Sequence, residues 1–231
     1  MIDAVIFDKD GTLFDFRSSW GGWVENLIAG LARQSDHAAL LQRILGYDIA
    51  AQRWAADSPV VAMTTAQIAA IMSPHVPDLT LAQLTRRMDS LAQTAPMMPA
   101  VDLVAVLGAL RSGGLTLGVA TNDTHAAAVA HLTGAGVLGQ FEFVAGCDSG
   151  WGGKPAPGQL LAFAAQTGIA PARCAMVGDS LHDLHAARAA GMAAVAVLTG
   201  VADAATLAPH ADVVLTDIGG LAAWIAAQTG T

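Results

Sequence analysis

Residues 5–13 read Val-Ile-Phe-Asp-Lys-Asp-Gly-Thr-Leu, and this run constrains the chain more than any other. Three apolar residues of high strand propensity lead straight into two acids spaced one residue apart, followed by glycine. On an extended backbone alternate side chains share a face, so Asp8 and Asp10 are expected to point one way and Lys9 the other. Two carboxylates held that close repel, and at neutral pH they call for a cation or a shared proton. Acids and glycine also make ordinary turns, so the meaning of the run depends on what the rest of the chain brings to it.

The bounds are informative. A chain of 231 residues is long enough for one sizeable core, or for a core with a smaller insertion. Only 13% of residues are charged and the mean hydropathy is +0.49, which argues against extended disorder. The net charge of −8 offers no basic footprint for nucleic acid. Residues 58–77 form the longest uncharged window, but Pro59, Pro74 and Pro77 interrupt it, so no membrane span is expected. The first residues carry no basic region leading into a long apolar run, so no signal peptide is read. Cys147 and Cys174 lack metal-ligand spacing and read as small buried groups. Together these features suggest a soluble, cytoplasmic protein.

Two textures follow the opening strand. From Ser18 to about Thr94 apolar residues recur at three-to-four spacing (Leu27, Leu31, Leu41, Leu45, Leu84, Met88), which predicts helices, with caps at Ser35-Asp36 and Thr80. Asp57-Ser58-Pro59 breaks that run, and Pro96 to Pro99 closes it. From Ala100 onward short apolar strands alternate with helices. Strands are expected at 115–120, 141–145, 174–177, 193–198 and 213–215, with helices at about 100–112, 124–134, 157–167, 181–190 and 219–228. Such alternation means a parallel sheet covered on both faces. The expected fold is α/β: a Rossmann-like parallel sheet core of residues 1–16 and 98–231, with an inserted all-helical cap of residues 17–97.

The polar residues of interest fall at one place in this pattern. Asp8 and Asp10, Thr121 and Asn122, and Asp179 each follow an apolar strand, and open α/β sheets form their sites beyond the carboxyl ends of strands. Lys154 precedes a helix on the loop after another strand. Asp183 lies one helical turn beyond Asp179. Four segments thus bring carboxylates, a hydroxyl and a cation towards one crevice.

Asp8-Lys9-Asp10-Gly11-Thr12, Thr121-Asn122, Lys154-Pro155 and Gly178-Asp179 through Asp183 resemble, in order, the four motifs of the haloacid dehalogenase superfamily. Within it the chain looks like phosphatases of the phosphoglycolate phosphatase type, and the helical insertion is similar to the superfamily's small α-helical cap. The resemblance implies Mg²⁺ as cofactor, held by Asp8, Asp179 and the main-chain carbonyl of Asp10. It implies that Asp8 is a nucleophile forming an aspartyl-phosphate, which accords with the ability of a carboxylate to split phosphoryl transfer into two displacements. Asp10 would be the acid and base. Thr121, the Asn122 backbone and Lys154 would hold the phosphoryl oxygens, and Asp183 would support the metal or orient Lys154.

The chain departs from the family pattern at Lys9, often an apolar position, at Phe16, often small, and at Gly158, often an acid. Asp-Lys-X-Gly-Thr also occurs in P-type ion pumps, but those carry Thr where Asp10 stands, and they span membranes. Dehalogenases of the superfamily lack an acid at the position of Asp10. Phosphonate hydrolases need a cap lysine, and residues 17–97 contain none. The expected activity is therefore Mg²⁺-dependent hydrolysis of a small anionic phosphate ester, phosphoglycolate first, with Arg17 and Arg53 as candidate anchors for a substrate carboxylate. A phosphatase for another small metabolite, a sugar phosphate or a nucleotide, is the alternative, followed by a sugar-phosphate mutase and a non-catalytic phosphate-binding scaffold. Trp20, Trp23 and Trp54 read chiefly as cap core, and the seven histidines as structural or surface groups.

Overall fold

The structure, a computed structural model, describes residues 1–55 and 57–228. The last three residues of the expected core and one position of the expected cap therefore lie outside the described residues. The chain opens with strand β1 (Ala4–Phe7) and then runs through helices α1 (Phe16–Leu31) and α2 (Ser35–Leu45). A short ribbon of β2 (Tyr47–Asp48) and β3 (Arg53–Trp54) follows, then α3 (Thr65–Met72), α4 (Leu81–Gln93) and α5 (Leu103–Ser112). Strands and helices alternate from there: β4 (Thr116–Ala120), α6 (His125–Gly134), β5 (Phe143–Ala145), α7 (Gly158–Thr167), β6 (Cys174–Gly178) and α8 (Leu181–Ala190). The chain continues through β7 (Ala193–Val197), α9 (Ala204–Leu207), β8 (Val213–Leu215) and α10 (Leu221–Ala227). No helix among the described residues is long and apolar enough to cross a membrane.

Six strands form one parallel sheet in the order β5-β4-β1-β6-β7-β8. Its strands are apolar apart from Thr116 and two glycines because both faces are covered. Ala4 and Ile6, Cys174 and Met176, and Ala194 and Ala196 pack with Leu160 and Phe163 of α7 and Leu184 of α8. The intervening residues Val5 and Phe7, Ala175 and Val177, and Val195 and Val197 pack with Leu107 of α5, Leu132 of α6 and Leu221 of α10. The period of two along each strand thus divides the core into two layers. Phe7 pairs with both Val119 and Val177, so the carboxyl ends of β4, β1 and β6 lie level.

The segment between β1 and α5 builds its own apolar cluster from Trp23, Leu27, Leu41, Leu45, Met72, Leu84 and Met88, as the three-to-four spacing predicts. Thr80 caps α4 with Gln83 as the reciprocal partner. Two details differ from expectation. The segment is helical except for the β2–β3 ribbon, where Tyr47 pairs with Trp54 and their rings pack at 4.5 Å. A run this short carries no alternation to read. Helix α2 takes Gln34 as its cap residue without a side-chain bond, and Ser35 is already helical.

Candidate active site

Three loops at the level strand ends supply the acids and the hydroxyl. Asp8 follows β1, Thr121 follows β4 and Asp179 follows β6, while Lys154 comes from the loop before α7 and Asp183 from the first turn of α8. All five are buried. Strand β1 ends at Phe7, so the strand rule does not extend through residues 8–10. Lys9 turns back to pair with Asp10 instead of pointing away from it, although Asp8 and Asp10 do line the same cavity.

Lys154 ties the acids together. Its Nζ lies 2.8 Å from Asp8 Oδ1 and 2.5 Å from Asp183 Oδ1. Asp183 Oδ2 in turn accepts from the Ser180 main-chain N–H at 3.1 Å and from its hydroxyl at 2.6 Å. Both Asp183 oxygens are thereby committed to partners, an arrangement that orients the lysine. Burial disfavours the charged form of Lys154, but Asp183 and then Asp8 outweigh it and raise its pKa. Burial pushes the Asp8 carboxyl up to about 7, against the pull of Lys154. Burial, then Asp183 and Asp8, raise Asp179 well above the ordinary carboxylate range.

One lysine does not neutralise three acids. Ligand oxygens of Asp8, Asp179 and Asp183 lie within 4.8 Å of one another, and Asp179 Oδ2 is buried without a hydrogen-bond partner. Gly11, at φ +79°, and Gly200 both press against this carboxylate, and a Cβ on either would collide with it. An orphaned carboxylate oxygen in a cradle of glycines, beside further carboxylate oxygens, is a donor set suited to a hard divalent cation.

The remaining expected residues are placed as follows. Thr121 is buried at the cavity wall, and its hydroxyl accepts from the Asp123 main-chain N–H at 3.1 Å. The Asn122 side chain is occupied: its Nδ2 donates to the main-chain oxygens of Lys154 and Ala62 at 2.9 and 2.8 Å, and its Oδ1 accepts from the Lys154 N–H at 2.8 Å. It sets the lysine loop and reaches the helical segment. Gly158 stands where a Cβ would strike the Trp151 carbonyl, which gives its departure from the family pattern a steric cause. The neighbouring Gln159, buried and absent from the sequence reading, donates to the main-chain oxygens of Thr121 and Gly152. Phe16 is buried at the start of α1 and packs edge-on against Trp54 at 5.1 Å.

These groups open into a cavity of ≈ 60 Å³, space for on the order of four water molecules. Its floor is Asp8, Asp10, Thr121, Lys154 and Asp183, with His182 at the side. The helical segment supplies Phe16, Trp20, Trp23, Val60, Met63 and Ile68 to its walls. Neither Arg17 nor Arg53 reaches it. Asp15 caps α1, whose buried face runs through Phe16, Ser19, Trp20 and Trp23, so Arg17 falls on the solvent side. Arg53 is exposed on β3 and faces a separate open depression beside Tyr47 and Trp54. Among the histidines, His131 is a buried structural group bonded to Lys9 and to the Ala92 main-chain oxygen, whereas His182 lines the cavity. A lone histidine in a helical pattern carries no signal that distinguishes such a place from a surface one.

A family model for haloacid dehalogenase-like hydrolases matches residues 2–191. The phosphoglycolate phosphatase of Rhodospirillum rubrum is 32% identical, over 97% of this chain and 91% of its own. A protein of Dickeya dadantii named "Probable phosphatase IndB" is 32% identical, over 87% of this chain and 83% of its own. Among solved structures, CbbY from Rhodobacter sphaeroides, in complex with phosphate, superposes with a TM-score of 0.72 over 96% of both chains at 20% identity. Two acids and a hydroxyl level at the ends of three adjacent parallel strands, a family model spanning most of the chain, and a near full-length relative lead to one conclusion. The chain belongs to the haloacid dehalogenase-like hydrolases.

Proposed function

We propose that the protein is a Mg²⁺-dependent phosphatase that hydrolyses a small phosphate monoester of the cytoplasm by way of a phosphoryl group carried on Asp8. The observation that carries this reading is the meeting of Asp8 and Asp183 on Lys154 beside the orphaned Asp179 oxygen. The names of the two near full-length relatives support a phosphatase. Residues 1–16 and 98–231 act as the catalytic core, and residues 17–97 act as its cap.

In this mechanism Lys154, the Thr121 hydroxyl and the Asn122 main-chain N–H hold the phosphoryl oxygens, where negative charge must be offset. Asp8 attacks phosphorus, and the bond to the leaving oxygen breaks as Asp10 gives that oxygen a proton. Asp10 then takes a proton from a water that attacks the same phosphorus, which frees Asp8 and inorganic phosphate. Asp8, Asp179 and the Asp10 main-chain carbonyl would hold Mg²⁺, which when bound supplies positive charge against the phosphoryl group. The walls of Trp20, Trp23 and Phe16 keep bulk water from the site.

The walls also bear on the substrate. Among the described residues no arginine lines the cavity, and its only lysine is committed to Asp8 and Asp183. A leaving group with an apolar body fits this lining better than one carrying a carboxylate. Phosphoglycolate, to which the name of the Rhodospirillum rubrum relative points, is the second reading. A carboxylate left unpaired against apolar walls costs at least about 1–3 kcal/mol, or roughly 5- to 150-fold in kcat/KM. The test is turnover of p-nitrophenyl phosphate, phenyl phosphate and phosphoglycolate with Mg²⁺. We expect hydrolysis of all three with kcat/KM lowest for phosphoglycolate. No turnover of any ester would reject the phosphatase reading, and a preference for phosphoglycolate would reject the apolar leaving group.

A further inference from the structure

Lys9 has no role in the mechanism above, yet its side chain is fully buried. Its Nζ lies 2.8 Å from Asp10 Oδ1, 2.9 Å from His131 Nδ1 and 3.1 Å from Asp123 Oδ2, and 5.3 Å from the centre of the Trp20 ring. An ammonium group has three N–H bonds: here Asp10 and His131 take hydrogen bonds from it, and Asp123 Oδ2 pairs with its charge without hydrogen-bond geometry. A surface lysine needs no such shell, and a buried one is rare without it.

The neighbours have fixed roles. His131 Nε2 lies 2.8 Å from the Ala92 main-chain oxygen, which can only accept. Nε2 therefore carries the ring hydrogen, and Nδ1 presents a lone pair to Lys9. Burial and the adjacent lysine both hold His131 below its ordinary pKa, consistent with a neutral ring. Trp20 Nε1 donates to Asp10 Oδ1 at 2.9 Å, so two donors, one from the same loop and one from α1, hold the same oxygen of Asp10. Trp20 on α1 and Ala92 on α4 both belong to the helical segment, whereas Lys9, Asp10, Asp123 and His131 belong to the sheet side.

We propose that Lys9, seated on His131 and Asp123, acts with Trp20 as a clasp that grips Asp10 Oδ1 and presents the other carboxylate oxygen to the ester. Lys9 is in this sense a positioning residue, acting through Asp10, and the clasp is complete only when the helical segment is seated. The inference rests on the reading of Asp10 as proton donor to the leaving group. A carboxyl that donates a proton must hold one oxygen near the leaving atom, and free rotation would spend part of its time elsewhere.

The test compares release of nitrophenol from p-nitrophenyl phosphate, whose leaving group departs readily unprotonated, with release of phenol from phenyl phosphate, which depends more on an acid. Single-turnover rates are measured with enzyme in excess and saturating Mg²⁺. Asp10→Asn should slow phenol release far more than nitrophenol release. Lys9→Met and Trp20→Phe should show the same selectivity in weaker form, with roughly tenfold greater slowing on phenyl phosphate. Trp20→Phe keeps the ring and removes one N–H, so it decides the matter should Lys9→Met not fold. Equal slowing on both esters in Trp20→Phe, with a selective Asp10→Asn, would overturn the clasp alone. A non-selective Asp10→Asn would overturn the reading of Asp10, and the clasp with it.

Discussion

Lys154 and Asp183 meet at 2.5 Å inside the protein, and this contact sets where the lysine can deliver its charge. Asp183 spends its other oxygen on Ser180, so it is a fixed post for the lysine. Lys154→Met leaves Asp8, Asp179 and Asp183 facing one another without their cation. Removing one partner of a buried pair costs about 3–5 kcal/mol. In a chain of this size that is a fall in Tm of roughly ten degrees, read by thermal unfolding in EDTA. Saturating Mg²⁺ should restore part of the loss, because the ion supplies the missing charge. An unchanged Tm in EDTA would mean that the acids are not sharing this lysine.

Asp179 should behave in the opposite way. Its carboxyl is raised well above the ordinary range by burial and by its acidic neighbours, so its charge opposes folding when no metal is bound. Asp179→Asn should therefore leave Tm in EDTA unchanged or higher, while abolishing the upward shift that Mg²⁺ gives the wild type. Differential scanning fluorimetry across a Mg²⁺ titration reads both effects. A wild-type-sized Mg²⁺ shift in the variant would remove Asp179 from the metal set.

Gly200 offers a test that touches no acid. A Cβ there would collide with the Asp179 carboxylate. Gly200→Ala should displace that carboxylate, raise the Mg²⁺ concentration needed for half-maximal activity at least tenfold, and leave kcat at saturating metal less affected. A Mg²⁺ requirement equal to that of the wild type would mean that the cradle does not hold the ligand in place.

Much of this site was legible in the sequence because each element announces itself locally. An apolar run ending in a polar residue gives a strand and its terminal side chain, and three such endings with the Lys154 loop pointed to one crevice. The sheet, its alternation with helices and the convergence of Asp8, Thr121, Lys154, Asp179 and Asp183 follow from that. What stayed hidden depends on contacts distant in sequence. Lys9 reads as an oddity until His131, 122 positions away, comes to rest on it. Gly158 reads as a missing acid until the Trp151 carbonyl occupies the space. Arg53 reads as an anchor beside a loop, yet two strand residues turn it away from the cavity, and no periodicity forecasts so short a ribbon.

Metal replacement separates ion size from charge. EDTA should abolish activity, Mg²⁺ should restore it, and Ca²⁺ should restore little. Ca²⁺ takes more ligands at longer distances and fits poorly in a compact site built for in-line transfer. Initial rates with p-nitrophenyl phosphate after chelation and metal addition give the result. Full activity in chelator would refute metal dependence.

The central claim is that phosphorus bonds to Asp8, and the measurement closest to it is the mass of that residue during turnover. Enzyme mixed with phenyl phosphate and Mg²⁺, quenched in acid within the first turnover and digested, should yield the peptide containing residues 4–13 with one added phosphoryl group on Asp8. Asp8→Asn, near-isosteric but unable to attack, should yield none and show no turnover. A phosphoryl group on any other residue, or Asp8→Asn turning over at close to the wild-type kcat, would contradict the account.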